Sequence, residues 1–130
     1  MPNTILVVED AALIAMDLVM ALEEAGYVVV GVAATKAAAL ALAEEHSVDL
    51  ATMDVELAQG SNGIETAIEL RNRYHIPSIF VSGSLTEETI RRAAAADPIG
   101  YLNKPIAAEK VLQAVECYLS RKRSDGGCAK

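Results

Sequence analysis

The sequence predicts an α/β fold, a doubly wound parallel sheet with helices on both faces, and two observations carry the prediction. Five short β-branched runs alternate strictly with helical patterns, the signature of right-handed strand–helix–strand crossovers. Several of those runs are apolar nearly throughout instead of alternating, as strands covered on both faces must be.

The runs are ILVV at 5–8, YVVVGV at 27–32, DLATMD at 49–54, SIFVS at 78–82 and IGYLN at 99–103. The first, second and fourth are the most continuously apolar and read as central strands. Ile14, Leu18, Ala21, Leu22 and Ala25 recur at three- and four-residue steps and stop at Gly26, which predicts the first helix and its inward face. Thr35 is the expected N-cap of a second helix that turns Leu40 and Ala43 inward. A third is expected from Asn62 through Ile64, Ala67 and Ile68 to Arg73, ended by the turn at Pro77. The fourth opens at Thr86 with Glu87 and Glu88 near its positive end, and beyond Ile90 its apolar side is mostly alanine, which anchors it thinly. The fifth presents Val111, Val115, Tyr118 and Leu119.

At 130 residues the chain fits one domain, expected over 1–121, with 122–130 a disordered tail. The net charge of −7 and pI near 4.7 disfavour nucleic acid or an anionic membrane as partner. No apolar stretch is long enough to span a bilayer and the N-terminus lacks a signal-peptide pattern, so a cytoplasmic location is expected. Cys117 and Cys128 have no close-spaced partners and read as reduced thiols. His46 and His75 lack neighbours at ligand spacing and read as loop or surface residues.

In a parallel sheet of this kind, ligands gather at the carboxyl ends of the strands. Those ends carry Glu9 and Asp10, Asp54, Ser82, and Asn103 with Lys104. Three carboxylates brought together repel one another unless a cation lies between them, and an all-oxygen set with room for water suits Mg2+, with Mn2+ as an alternative. A carboxylate can itself attack phosphorus, and Asp54 is the candidate nucleophile. Lys104 is placed to neutralise a phosphoryl group, Ser82 can donate to one of its oxygens, and the Lys104–Pro105 bond is a candidate cis peptide.

With these residues in order, the chain resembles the response-regulator receiver domains of two-component phosphorelays, over about residues 3–121, and in particular the single-domain, chemotaxis-regulator type. The resemblance rests on the acidic pair Glu9–Asp10 after strand one, Asp54 after strand three, Ser82 after strand four and Lys104–Pro105 after strand five. It implies a five-stranded sheet in the flavodoxin-like order 2-1-3-4-5. Asp54 would be the phosphoacceptor, catalysing its own phosphorylation and dephosphorylation with Mg2+. Asp10, Asp54 and the backbone carbonyl of Glu56 would hold the metal, with Glu9 ligating directly or through water. Lys104 and Ser82 would bind the phosphoryl group, and Tyr101 would be the aromatic that responds with Ser82. A sensor histidine kinase or histidine phosphotransfer protein would be the donor. With no further domain expected after residue 121, the signal would leave through protein contacts on the face of the fourth helix, fifth strand and fifth helix.

Two departures stand out. The acidic pair is Glu-Asp where Asp-Asp is commoner, and the loop ELAQGSNG after Asp54 has Ala58 and Gly63 where Pro and a glycine one position earlier are usual, which predicts a loop one residue longer. Other readings stay open: a phosphorylation-independent pseudo-receiver acting as a scaffold, a phosphatase using Asp54 and Glu56, or a flavodoxin. The flavodoxin needs a phosphate-cradling loop where this chain places two anions.

Overall fold

The computed structural model describes residues 3–123. Strands and helices alternate as β1 (Thr4–Val8), α1 (Ala12–Glu24), β2 (Val28–Ala33), α2 (Lys36–Glu45), β3 (Leu50–Met53), α3 (Gly63–Tyr74), β4 (Ser78–Ser82), α4 (Glu87–Ala93), β5 (Gly100–Asn103) and α5 (Ala108–Arg123). All strand pairs are parallel and the order is β2-β1-β3-β4-β5, the order that the resemblance implies.

Each central strand feeds two cores. Leu6, Val8, Ala51, Met53 and Phe80 pack toward α2, α3 and α4, while Ile5, Val7, Leu50 and Val81 pack toward α1 and α5. Alternate side chains thus enter opposite apolar layers, so the runs carry no polar face. The expected helix starts are real caps: Thr35 accepts from the Ala38 N–H at 3.1 Å, Asn62 from Ile64 at 2.7 Å, and Thr86 from Thr89 at 3.2 Å.

Three expectations need correction. The second run is an edge strand, with Val28 45% and Val32 46% exposed, and the third run takes the central place between β1 and β4. Apolar pattern reports what covers a strand's two faces, whereas edge status depends on backbone pairing that side chains do not encode. On α1, Ala15, Leu18 and Leu22 are buried, but Ile14 is 40% exposed and Ala25 is exposed too. On α2, Ala39 and Ala43 face the core and Leu40 is only partly covered.

As expected, α4 is lightly anchored: it spans only seven residues and buries Ala93, before a 3₁₀ turn that buries Ala96. His46 and His75 are exposed residues ending α2 and α3, the latter in the left-handed conformation. Cys117 on α5 is bonded instead of being a reduced thiol. The domain was expected to end at 121 with a disordered tail over 122–130, but α5 continues through Lys122 and Arg123; the chain's other cysteine and the rest of that expected tail, 124–130, lie outside the described residues. Among the described residues no helix is long and apolar enough to cross a membrane.

Candidate functional site

The sheet ladder runs on past the strands and fixes the site. Glu9 N–H donates to the Ala33 carbonyl at 2.9 Å, Asp54 N–H to Val8 at 3.0 Å, and Lys104 N–H to Ser82 at 3.0 Å. These bonds set three backbones side by side at the carboxyl edge, so their side chains converge. Glu9, Asp10 and Asp54 each offer an oxygen within 4.8 Å of the others. Glu9 and Asp54 are buried, while Asp10 is exposed at the rim.

The Lys104 ammonium enters between the buried acids, 2.8 Å from Glu9 Oε1 and 3.1 Å from Asp54 Oδ2. The second Glu9 oxygen accepts from the Ala11 N–H at 3.1 Å, so both its oxygens have partners. Burial pushes the Glu9 carboxyl above its ordinary value, and the hydrogen bonds from Lys104 and Ala11 only partly oppose that while the nearby Asp54 charge adds to it. Burial would lower the Lys104 ammonium, but the bonds to Glu9 and Asp54 outweigh it and leave the lysine above its ordinary value. The two partners respond differently because the lysine meets two opposite charges and the glutamate meets one of each sign. The Lys104–Pro105 peptide bond is cis.

Ser82 is buried, and its Oγ accepts from the Ser84 N–H at 3.1 Å. Tyr101 is half-buried two register positions away. Its ring stacks on Phe80 with centroids 5.8 Å apart, and its hydroxyl donates to the Ile90 carbonyl on α4 at 3.4 Å. Glu9, Asp10, Asp54 and Lys104 are therefore brought together, Ser82 sits at the end of β4 with its hydroxyl turned to Ser84, and Tyr101 touches α4.

Glu56 is exposed and pairs with Asn62 in an isolated antiparallel bridge. The residues between them close through Gln59 and Gly60, both at positive φ. Gly63, at the start of α3, packs so closely on the Asp54 backbone carbonyl that no Cβ fits there. The sequence shows this glycine as displaced by one position; its packing role was not visible there. Also unforeseen is an apolar cleft of about 440 Å3 beside Lys104, lined by Ile14, Leu18, Val81, Pro105, Ile106 and Val111.

Three carboxylates on the edge of a parallel sheet, with an ammonium inserted between two of them, make a cluster whose oxygens could hold a cation. The family model described as "Response regulator receiver domain" matches residues 5–116. The chain belongs to the response-regulator receiver family. Such receivers are phosphorylation-switched modules of two-component signalling that bind Mg2+ at an acidic pocket, and they interact with histidine kinases or phosphotransfer proteins and with downstream partners. This receiver is 36% identical over 122 residues to the transcriptional regulatory protein PdtaR of Mycobacterium tuberculosis, covering 94% of this chain. The chain spans 59% of the length of that curated relative. Among solved structures, it is similar to the signal receiver domain of a modulated diguanylate cyclase from Desulfovibrio desulfuricans G20, with TM-score 0.85, 35% identity, and 95% and 98% of the two chains covered. A CheY-like receiver domain protein from Methanospirillum hungatei JF-1 gives TM-score 0.88 at 27% identity, with 97% and 100% covered.

Proposed function

We propose that this receiver accepts a phosphoryl group on Asp54 from the phosphohistidine of a sensor histidine kinase or histidine phosphotransfer protein, and that the modification changes its affinity for a protein partner. The observation that carries the reading is the Lys104 ammonium 3.1 Å from Asp54 Oδ2, with the Glu9 and Asp10 carboxylates beside the same group. An Asp54 carboxylate oxygen attacks phosphorus in line as the P–N bond breaks. The electron pair of that bond leaves with the donor imidazole, and an acyl phosphate forms on Asp54.

When bound, Mg2+ or Mn2+ supplies charge neutralisation to the phosphoryl oxygens, with Asp10, Asp54 and the Glu56 backbone carbonyl as its holders and Glu9 as a contact made directly or through water. The chain's own residues do the rest. Lys104 turns from the Asp54 carboxylate to a phosphoryl oxygen while Glu9 keeps hold of its ammonium. Ser82 exchanges its local contact with Ser84 for a hydrogen bond to another phosphoryl oxygen. Loss of that contact loosens the segment leading to α4, to which Tyr101 is also bonded, and the face of α4, β5 and α5 carries the change to a partner.

The rim supports a protein donor. Leu13 and Ile14 on α1 are 77% and 40% exposed, and the apolar cleft beside Pro105 and Ile106 opens next to Lys104. Exposed apolar side chains around a charged site suit a docked protein surface.

Intact-mass measurement tests the reading. With Mg2+ and a small phosphodonor such as acetyl phosphate, the wild type is expected to gain one phosphate-sized adduct and the Asp54→Asn variant none. Equal labelling of both, or none in the wild type, would sink it and favour the pseudo-receiver. Sustained phosphate release from many unrelated esters would point to the phosphatase instead.

A further inference from the structure

The loop after Asp54 is a closed hairpin joined to α3, and Asn62 is where the two meet. Leu57 N–H donates to the Ser61 carbonyl at 3.3 Å and Gly63 N–H donates to the Val55 carbonyl at 2.7 Å, flanking the Glu56–Asn62 pair. In antiparallel pairing the two residues between such bonds exchange none with each other, and their own N–H and C=O groups turn away from the partner strand. The pairing therefore directs the Glu56 carbonyl outward, two residues along from Asp54.

Asn62 is held firmly on its other side. It has extended backbone at φ −117° and ψ 124°, and its side-chain oxygen accepts from the N–H groups of Ile64 and Glu65 at 2.7 and 3.2 Å. Its carbonyl accepts from the Thr66 hydroxyl at 2.8 Å and the Thr66 N–H at 3.1 Å, and Thr66 is fully buried. The hairpin is tied elsewhere as well: Leu57 is buried in the core, Ala58 N–H donates to the Ala34 carbonyl at 2.9 Å, and Ser61 Oγ accepts from the Lys36 N–H at 3.2 Å. The longer loop is thus a built element whose extra length is absorbed at Gln59 and Gly60.

We infer that Asn62 is a positioning residue for the metal side of the site: it fixes Glu56, and with it the Glu56 carbonyl, against the first turn of α3. The inference rests on the proposed reading that this carbonyl contacts the divalent ion beside Asp54. An asparagine that merely starts a helix would do none of this. The two roles separate because glycine is nearly as good an N-cap as asparagine, whereas it releases the backbone that the pairing needs.

Mn2+ binding followed by electron paramagnetic resonance separates them on the intact protein. Asn62→Gly is expected to weaken Mn2+ binding roughly tenfold, the loss typical of outer-sphere supports, with a thermal midpoint close to wild type. Asn62→Ser, which restores a side-chain acceptor, is expected to bind as wild type does. Thr86→Ala, which removes the cap of α4, is expected to leave affinity unchanged. Amide exchange at Leu57 and Gly63, the donors that close the hairpin, should accelerate in Asn62→Gly alone. Wild-type affinity and protection in Asn62→Gly, or equal weakening in Thr86→Ala, would overturn the role. If Asp54→Asn and Asp10→Asn fail to lower Mn2+ affinity, the metal reading itself falls and takes the positioning role with it.

Discussion

Lys104 Nζ lies 2.8 Å from Glu9 Oε1 and 3.1 Å from Asp54 Oδ2, so one ammonium neutralises two carboxylates that are only 4% and 7% exposed. Removing it strands both charges. Lys104→Met is expected to lose about 2 kcal/mol of stability in buffer without divalent ions, less than a fully buried pair because the lysine is 18% exposed. Mg2+ should restore much of that loss by replacing the missing positive charge. Urea denaturation with and without Mg2+ measures both, and a variant as stable as wild type without metal would contradict the role given to Lys104.

The raised Glu9 carboxyl leads to an expected pH dependence of the metal-free protein's stability. Its folded-state value lies above the ordinary 4.5, so between the two values the folded protein binds more protons than the unfolded chain. The stability it contributes is therefore complete below pH 4.5 and is lost as pH rises through the folded value. Glu9→Gln should flatten that part of the curve, and Mg2+ should flatten it in the wild type because a cation favours the ionised form. Thermal midpoints collected from pH 4 upward, with and without metal, read the slope; a midpoint that rises for wild type relative to Glu9→Gln across that window would reverse the assignment.

Gly63 leaves no space for a side chain. A Cβ there would collide with the Asp54 carbonyl and lie 2.9 Å from the Val55 Cα, and these are backbone atoms that cannot swing aside. Gly63→Ala is expected to cost about 3 kcal/mol and to disturb Asp54 directly. Gly60→Ala makes a useful contrast, because nothing lies within 4 Å of its added carbon and only its positive φ is strained. Its expected cost is about 1 kcal/mol. Denaturation of the two variants in parallel compares them, and equal costs would show that close packing at Gly63 is not what matters.

The sequence exposed the strand-end cluster because a parallel sheet places the side chains that follow its strands along one edge once those strands are located. Glu9, Asp10, Asp54, Ser82 and Lys104 could be brought together on that basis. The implied strand order put β2 at the edge, but the apolar pattern did not, since Val29 and Val30 each meet a helix-covered face as a central strand's residues would. Ile14 misled for a related reason: helical spacing marks a face, yet at the end of α1 that face runs past the sheet onto the cleft beside Pro105. The Glu9–Lys104 contact joins residues 95 positions apart, and no local pattern marks which acid of the pair the lysine will reach. Hairpin closure after Asp54 depends on backbone bonds, to which composition is blind.

Tyr101 is held more by its ring than by its hydroxyl. The stack on Phe80 has centroids 5.8 Å apart with planes inclined by 12°, whereas the hydroxyl reaches Ile90 at 3.4 Å, a long hydrogen bond. Tyr101→Phe is accordingly expected to change stability by less than about 0.5 kcal/mol. Tyr101→Ala should lose about 2 kcal/mol, a half-buried ring's share of the usual aromatic truncation. Chemical denaturation distinguishes the cases, and a large effect of the phenylalanine variant would move the weight to the bond with α4.

Arg71 ties α3 to the far end of α4. Its guanidinium donates to the carbonyls of Ala96 and Asp97 and meets the Asp97 carboxylate at 3.3 Å. Asp97 ends the 3₁₀ turn in the left-handed conformation, with its N–H donating to the Ala94 carbonyl at 3.0 Å. The ion pair with the highly exposed Asp97 side chain adds little, while the bonds to two backbone carbonyls fix where the link to β5 begins. Arg71→Met is expected to cost about 1 kcal/mol and to speed amide exchange from Ala93 to Ile99 without altering exchange in β1 and β3. Asp97→Asn, which removes only the charge, should change neither by a measurable amount. If that variant reproduces the arginine loss, the link is held by the salt bridge; if exchange quickens throughout the sheet, Arg71 supports the whole fold and not the end of α4 alone.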